Sequence, residues 1–183
     1  MIYLTLGLLL LGAVTALNLV LVLAVIRRLR RHEEERKIRS GTYENPQSGP
    51  PTGEPLPPFA ADATDGTQVT SAGLTGREAA LTFLSTECSV CVAAAGDLPE
   101  FARRSGIGAA QHVVVIAGSD EAVVEEMTAA LAGVATVVRE GAAGPLSTLY
   151  AIKATPTTVL VDPDGTVTYA AAGTNPVLDR LPA

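Results

Sequence analysis

Apolar and polar positions divide the chain into an uncharged run, a charged stretch, a proline-rich stretch and a patterned remainder. Residues 2–26 carry no charge, and Thr5, Thr15 and Asn18 are their only clearly polar side chains. As a helix, such a run reaches roughly 37 Å at about 1.5 Å per residue, enough to cross about 30 Å of hydrocarbon with some tilt. A helix satisfies its own backbone, as a bilayer requires. No Lys or Arg precedes the run, and it is longer than the usual apolar region of a signal peptide, about 7–15 residues. It ends in Arg27-Arg28-Leu29-Arg30-Arg31, not in a small-residue cleavage site. The expectation is a retained transmembrane anchor over residues 1–26. Residues 27–40 continue it as a charged juxtamembrane helix, with Arg31 beside Glu35 and Glu33 beside Lys37 at helical spacing. Residues 41–58 hold six of the twelve prolines and are expected to form an extended tether.

A folded domain is expected over residues 59–183. Asp65-Gly66 marks a turn between extended pieces at 59–63 and 67–70. The run 79–84 reads as a buried strand, 88–105 as a helix containing Pro99, and 111–117 as a second buried strand. Ser119 and Asp120 can cap a helix at 121–132. Strands are expected at 134–138 and 157–161, with a short helix opened by Pro145 between them. Asp162-Pro163-Asp164-Gly165 is a turn leading into a strand at 166–171, and residues 175–183 form at most a short final helix. The order β-α-β-α-β-α followed by a hairpin predicts an α/β fold, with a mixed central sheet flanked by helices.

Charge changes the picture in one respect. The net charge of −6 is split: residues 1–54 carry 7 basic and 5 acidic groups, and residues 55–183 carry 6 and 14. An acidic folded domain argues against nucleic acid as a partner. The arginines after the apolar run, by the positive-inside rule, put the N-terminus outside and the rest in the cytoplasm. Folded domains on a single N-terminal anchor are often exported, which points to the other side. The lipid bilayer is an expected partner on either reading.

The candidate chemistry lies in the only two cysteines, Cys88 and Cys91, which follow the strand at 79–84. A CxxC at a strand-to-helix junction suits thiol chemistry, because unpaired N–H groups and the helix dipole favour a thiolate there. Cys88 is placed to attack. Cys91, at i+3 on the same face, is placed to resolve a mixed disulfide. The same pair could be a structural disulfide, although so short a loop constrains the unfolded chain little. A zinc site would need two more ligands, and neither His32 nor His112 has a partner at ligand spacing. His112 is read as a strand-edge residue. No metal or other cofactor is expected.

Two separated motifs resemble the thioredoxin superfamily, in particular its membrane-anchored TlpA-like and MauD-like branch. One is Phe83-Leu84-Ser85-Thr86-Glu87-Cys88-Ser89-Val90-Cys91, the other Ala154-Thr155-Pro156-Thr157-Thr158-Val159-Leu160-Val161-Asp162-Pro163-Asp164-Gly165. The resemblance implies a thioredoxin-like domain and thiol–disulfide oxidoreductase activity on protein or peptide thiols, with a membrane redox partner compatible with the anchor. It also implies a cis peptide bond at Pro156, beside the CxxC, and a Thr155 backbone free to pair with an extended substrate. Two positions depart from the family. Glu87 stands where a Trp commonly precedes the first Cys, and Thr82 stands where thioredoxins proper carry a buried acid. These departures remove the usual activating residues, leave the direction and rate of exchange open, and keep open a redox-silent binding module on the same fold. Peroxidase chemistry finds no support, because no Pro-x-x-x-Thr-x-x-Cys pattern precedes Cys88.

Overall fold

A computed structural model describes Gly12 and residues 48–173. Apart from Gly12, the expected anchor, the charged helix and the first part of the tether lie outside the described residues, as does the expected final helix. Among the described residues no helix is long and apolar enough to cross a membrane.

The turn at Asp65-Gly66 forms as its residues dictate. Asp65 Oδ1 accepts from the Thr67 N–H and hydroxyl. It joins β1 (Ala60–Asp62) to β2 (Gln68–Thr70) in an antiparallel pair. The central sheet contains β3 (Ala79–Ser85), β4 (His112–Ala117), β5 (Thr136–Glu140), β6 (Thr157–Val161) and β7 (Val167–Ala172), in the order β5-β4-β3-β6-β7. β3, β4 and β5 are parallel neighbours, while β6 runs antiparallel to both β3 and β7. The sheet is therefore mixed. Its helices are α1 (Ser89–Ser105), α2 (Glu121–Ala130) and α3 (Pro145–Leu149). Asp120 caps α2 through its carboxylate and the Val123 N–H, and Pro145 opens α3.

Strand alternation divides the core in two. Ala80, Leu84, Val114 and Ile116 meet Leu98 and Phe101 of α1 and Val124 and Met127 of α2. Leu81, Phe83, Val113 and Val115 face the other way, onto Leu146 of α3, Tyr150, Phe59 and Leu74. Full burial of each such side chain contributes about 1.5–3 kcal/mol, so β3 and β4, buried on both faces, anchor the fold.

Three expectations are corrected. The strand expected at 134–138 runs instead over Thr136–Glu140, because Val134 N closes a turn onto Leu131 O after α2. His112, read as a strand-edge residue, is the first residue of β4 and is fully buried there. The third correction concerns the tether at 41–58. Its described part, from residue 48 onward, lies against the domain. Gly53 N donates to Val167 O, Val167 N to Glu54 O, and Leu56 N to Gly165 O. These bonds cover the beginning of β7 on its open edge, where Val167 would otherwise present unpaired backbone groups. Leu56 and Ser48 are buried.

Candidate active site

The site is built where β3 ends and α1 begins. Leu84 holds the end of β3 in the core, and Thr86 N ties the loop that follows to Ala117 O at the end of β4. Gly118 makes this possible: a Cβ there would lie 1.9 Å from Thr86 Oγ1, and its φ of +134° is one that side-chain-bearing residues rarely adopt. The chain then turns through Glu87, whose N–H bonds Ser85 Oγ, into Cys88.

Cys88 is the N-cap of α1, with extended backbone and no side-chain capping bond. Cys91 N and Val92 N both donate to the Cys88 carbonyl, so the first turn closes directly behind the sulfur. Cys88 is half-buried, Cys91 is fully buried, and both thiols are free. Their acidities are pushed apart. The Cys91 thiol, as donor to Cys88, is the largest influence that lowers Cys88 to about 6. The Cys91 N–H, the Thr155 side chain and the Val90 N–H add to it, against the opposing effect of burial. The same bond, with burial, raises Cys91 well above the ordinary thiol range. One sulfur is thus an anion near neutral pH and the other a thiol that holds its proton.

The second motif meets the first. The Thr155–Pro156 bond is cis, as the resemblance implied. The Thr155 carbonyl lies 3.5 Å from Cys88 Sγ, where it accepts from the sulfur only while Cys88 is protonated. Pro156 is buried and Thr155 is half-buried. All four candidate residues, Cys88, Cys91, Thr155 and Pro156, therefore belong to one locus, although 67 positions separate Cys88 from Thr155.

The two departures take on a physical meaning. Glu87 is exposed, so water screens its carboxylate from the neighbouring sulfur. The lowering of Cys88 comes from Cys91, the Thr155 side chain and the helix start, and from neither of these two positions. Thr82 is buried with its hydroxyl 3.3 Å from His112 Nε2. The His112 ring meets the Phe101 ring edge-on at 5.5 Å. Its Nδ1 has no hydrogen-bond partner among the described residues, and burial lowers the ring to about 4. The place of a buried acid is thus held by a neutral hydroxyl–imidazole pair. Sequence reasoning missed this pair, since a single His before an apolar run carries no signal of its partner 30 positions earlier. Among the described residues, no group of three or more His, Cys, Asp or Glu side chains could hold a metal ion.

A mixed five-stranded sheet, a CxxC at the start of α1 and a cis proline facing it define the class of thioredoxin-like thiol–disulfide oxidoreductases. The chain belongs to the Redoxin family, whose pattern matches residues 51–180. Among solved structures, a putative thiol:disulfide interchange protein DsbE from Chlorobium tepidum is 25% identical. It aligns with a TM-score of 0.54 over 72% of this chain and 92% of that one. Two others share the fold at lower identity. A secreted Mycobacterium tuberculosis disulfide oxidoreductase homologous to E. coli DsbE is 21% identical, with a TM-score of 0.51, over 63% of this chain and 86% of its own. A thiol:disulfide interchange protein of the thioredoxin family from Chlorobium tepidum TLS is 19% identical, with a TM-score of 0.55, over 73% and 93%. No curated protein matches the chain.

Proposed function

We propose that this protein is a membrane-anchored oxidoreductase that exchanges disulfides with protein or peptide thiols through Cys88 and Cys91. The observation that carries the reading is the half-buried Cys88 sulfur at a helix start, 3.5 Å from the Thr155 carbonyl and backed by a buried Cys91 thiol. The Cys88 thiolate attacks one sulfur of a substrate disulfide. A Cys88–substrate bond forms, the substrate S–S bond breaks, and the departing substrate thiolate takes up a proton. Cys91 then loses its proton and attacks Cys88 Sγ, forming the Cys88–Cys91 disulfide and releasing the second substrate thiolate. The substrate gains two electrons and the protein loses them. The same steps run backwards when an oxidised protein meets a dithiol. Thr155 and Pro156 orient the substrate: the half-exposed Thr155 backbone offers hydrogen bonds to an extended peptide.

Reduction of a disulfide-bonded peptide by the dithiol form tests the reaction. Cys88→Ser is expected to abolish it, and unchanged exchange in that variant would sink the proposal. The apolar run at 2–26, followed by seven basic residues, supports a single-pass anchor in the cell membrane. Labelling Cys88 in intact cells with a membrane-impermeant thiol reagent, before and after reduction, tests the side. Labelling that needs permeabilised cells supports the cytoplasmic placement favoured by the charge pattern. Labelling of intact cells overturns it.

A further inference from the structure

Ser48 stands in the proline-rich segment, yet only 1% of it is exposed. Its hydroxyl closes a ring of hydrogen bonds around the Thr155–Pro156 bond. Lys153 N and Ala154 N donate to Ser48 Oγ at 3.2 and 3.4 Å. Ser48 Oγ lies 2.7 Å from Thr157 Oγ1, which donates to Ala154 O at 2.6 Å. Thr157 has one hydroxyl proton, and it goes to Ala154 O. Ser48 accepts from the two amides, and its own proton is shared between Thr157 Oγ1 and, at 3.4 Å, Ala154 O. One hydroxyl thus joins the residues before the cis proline to the residue after it.

The approach is made close on purpose by Gly49. Its N–H donates to Ala151 O at 3.5 Å, its φ is +106°, and a Cβ there would come within 3.0 Å of Ala170 Cβ. A larger residue would lift the segment away and carry Ser48 out of the ring.

We infer that Ser48 is a positioning residue for substrate: it fixes the 153–157 loop so that the Thr155 backbone is presented to an extended peptide beside Cys88. The inference rests on the exchange function proposed above and adds to it the element that holds the substrate-binding loop. Removal of the hydroxyl leaves two amides and the Thr157 hydroxyl without their shared partner, and the loop gains freedom. A small thiol reagent makes no use of the loop, whereas a peptide does.

The test compares the full-length protein with Ser48→Ala and with Thr157→Val, which keeps the side-chain shape and opens the ring from its other side. Two readouts are taken: steady-state reduction of a peptide with one intramolecular disulfide, and the pH dependence of Cys88 alkylation by iodoacetamide. KM for the peptide is expected to rise roughly tenfold in each variant, with kcat within about twofold of the parent. The alkylation midpoint should move by less than about one pH unit, since the Cys91 thiol, the largest influence on Cys88, stays in place while Thr155 is a lesser one. The double variant should be no worse than either single one, because both open the same ring. If Ser48→Ala does not fold, Thr157→Val carries the test alone. Unchanged KM in an otherwise active protein overturns the inference, as does an equal loss in kcat, KM and alkylation. A parent that alkylates at Cys88 but exchanges with no peptide overturns the proposed function, and this role with it.

Discussion

The start of α1 and the start of β4 border the same core cluster, yet they treat charge in opposite ways. At the helix start, Cys88 has a neighbouring thiol donor and two backbone N–H groups, and these outweigh burial to bring it to about 6. In β4, His112 has one hydroxyl and an aromatic edge, and burial alone takes its ring to about 4. The contrast teaches that burial by itself only suppresses charge. A reactive anion needs donors already aimed at it, and in this chain the donors are a second thiol, the first backbone N–H groups of a helix and the Thr155 side chain rather than a buried charged side chain.

The largest effect expected from this contrast is on acid stability. The folded-state ring of His112 titrates near 4, below the ordinary value of about 6.5, so the unfolded chain binds a proton that the fold refuses. Its stabilising effect is complete above pH 6.5 and is lost as pH falls towards 4, where the cost reaches roughly 3 kcal/mol at about 1.4 kcal/mol per unit. Urea titrations at pH 7 and pH 4.5 should show a steeper fall for the parent than for His112→Leu. Equal slopes would remove His112 from the account.

Next comes the donor to Cys88. In Cys91→Ala the largest influence on the sulfur is gone, while the helix start remains. The midpoint of Cys88 alkylation should rise from about 6 by more than one pH unit, towards the ordinary thiol value of about 8.5. An unmoved midpoint would assign the activation to the helix end alone.

A third buried group sharpens the comparison from the other side. The Glu140 carboxylate is 7% exposed, but it accepts from Leu146 N at 2.9 Å and Ser147 N at 3.0 Å, and also from the Ser147 hydroxyl. It therefore caps α3 from within the domain. Glu140→Ala should cost about 1–2 kcal/mol in urea unfolding, through amides left without a partner. The smallest effect belongs to the Arg139–Glu121 pair, which is solvent-exposed. Arg139→Ala should leave the urea midpoint unchanged, because exposed ion pairs are screened and contribute little.

Much of this was legible in the sequence. The run 79–84 and the Thr157–Val161 strand are apolar enough to be central strands. Asp162 and Gly165 form the turn their residues predict, with Asp162 Oδ1 accepting from Asp164 N and Thr166 N. The spacing of Cys88 and Cys91 identified the site, and the motif around Pro156 supplied its other half. The docked segment was not legible, because backbone bonds to the edge of β7 and one serine hydroxyl hold it. Composition records six prolines and cannot show a sheet edge waiting for them. The activation of Cys88 is not legible for a related reason: Glu87 and Thr82 are visible as residue types, whereas the donors that lower Cys88 are main-chain groups and side chains whose direction only the fold sets.

The most direct measurement is a trapping experiment with an oxidised peptide and the single-cysteine variants. In Cys91→Ser, a covalent Cys88–peptide disulfide should accumulate and be seen by mass, since nothing remains to resolve it. In Cys88→Ser, no adduct should form at neutral pH, because Cys91 is buried and holds its proton. An adduct at Cys91 and none at Cys88 would contradict the assignment of the attacking sulfur.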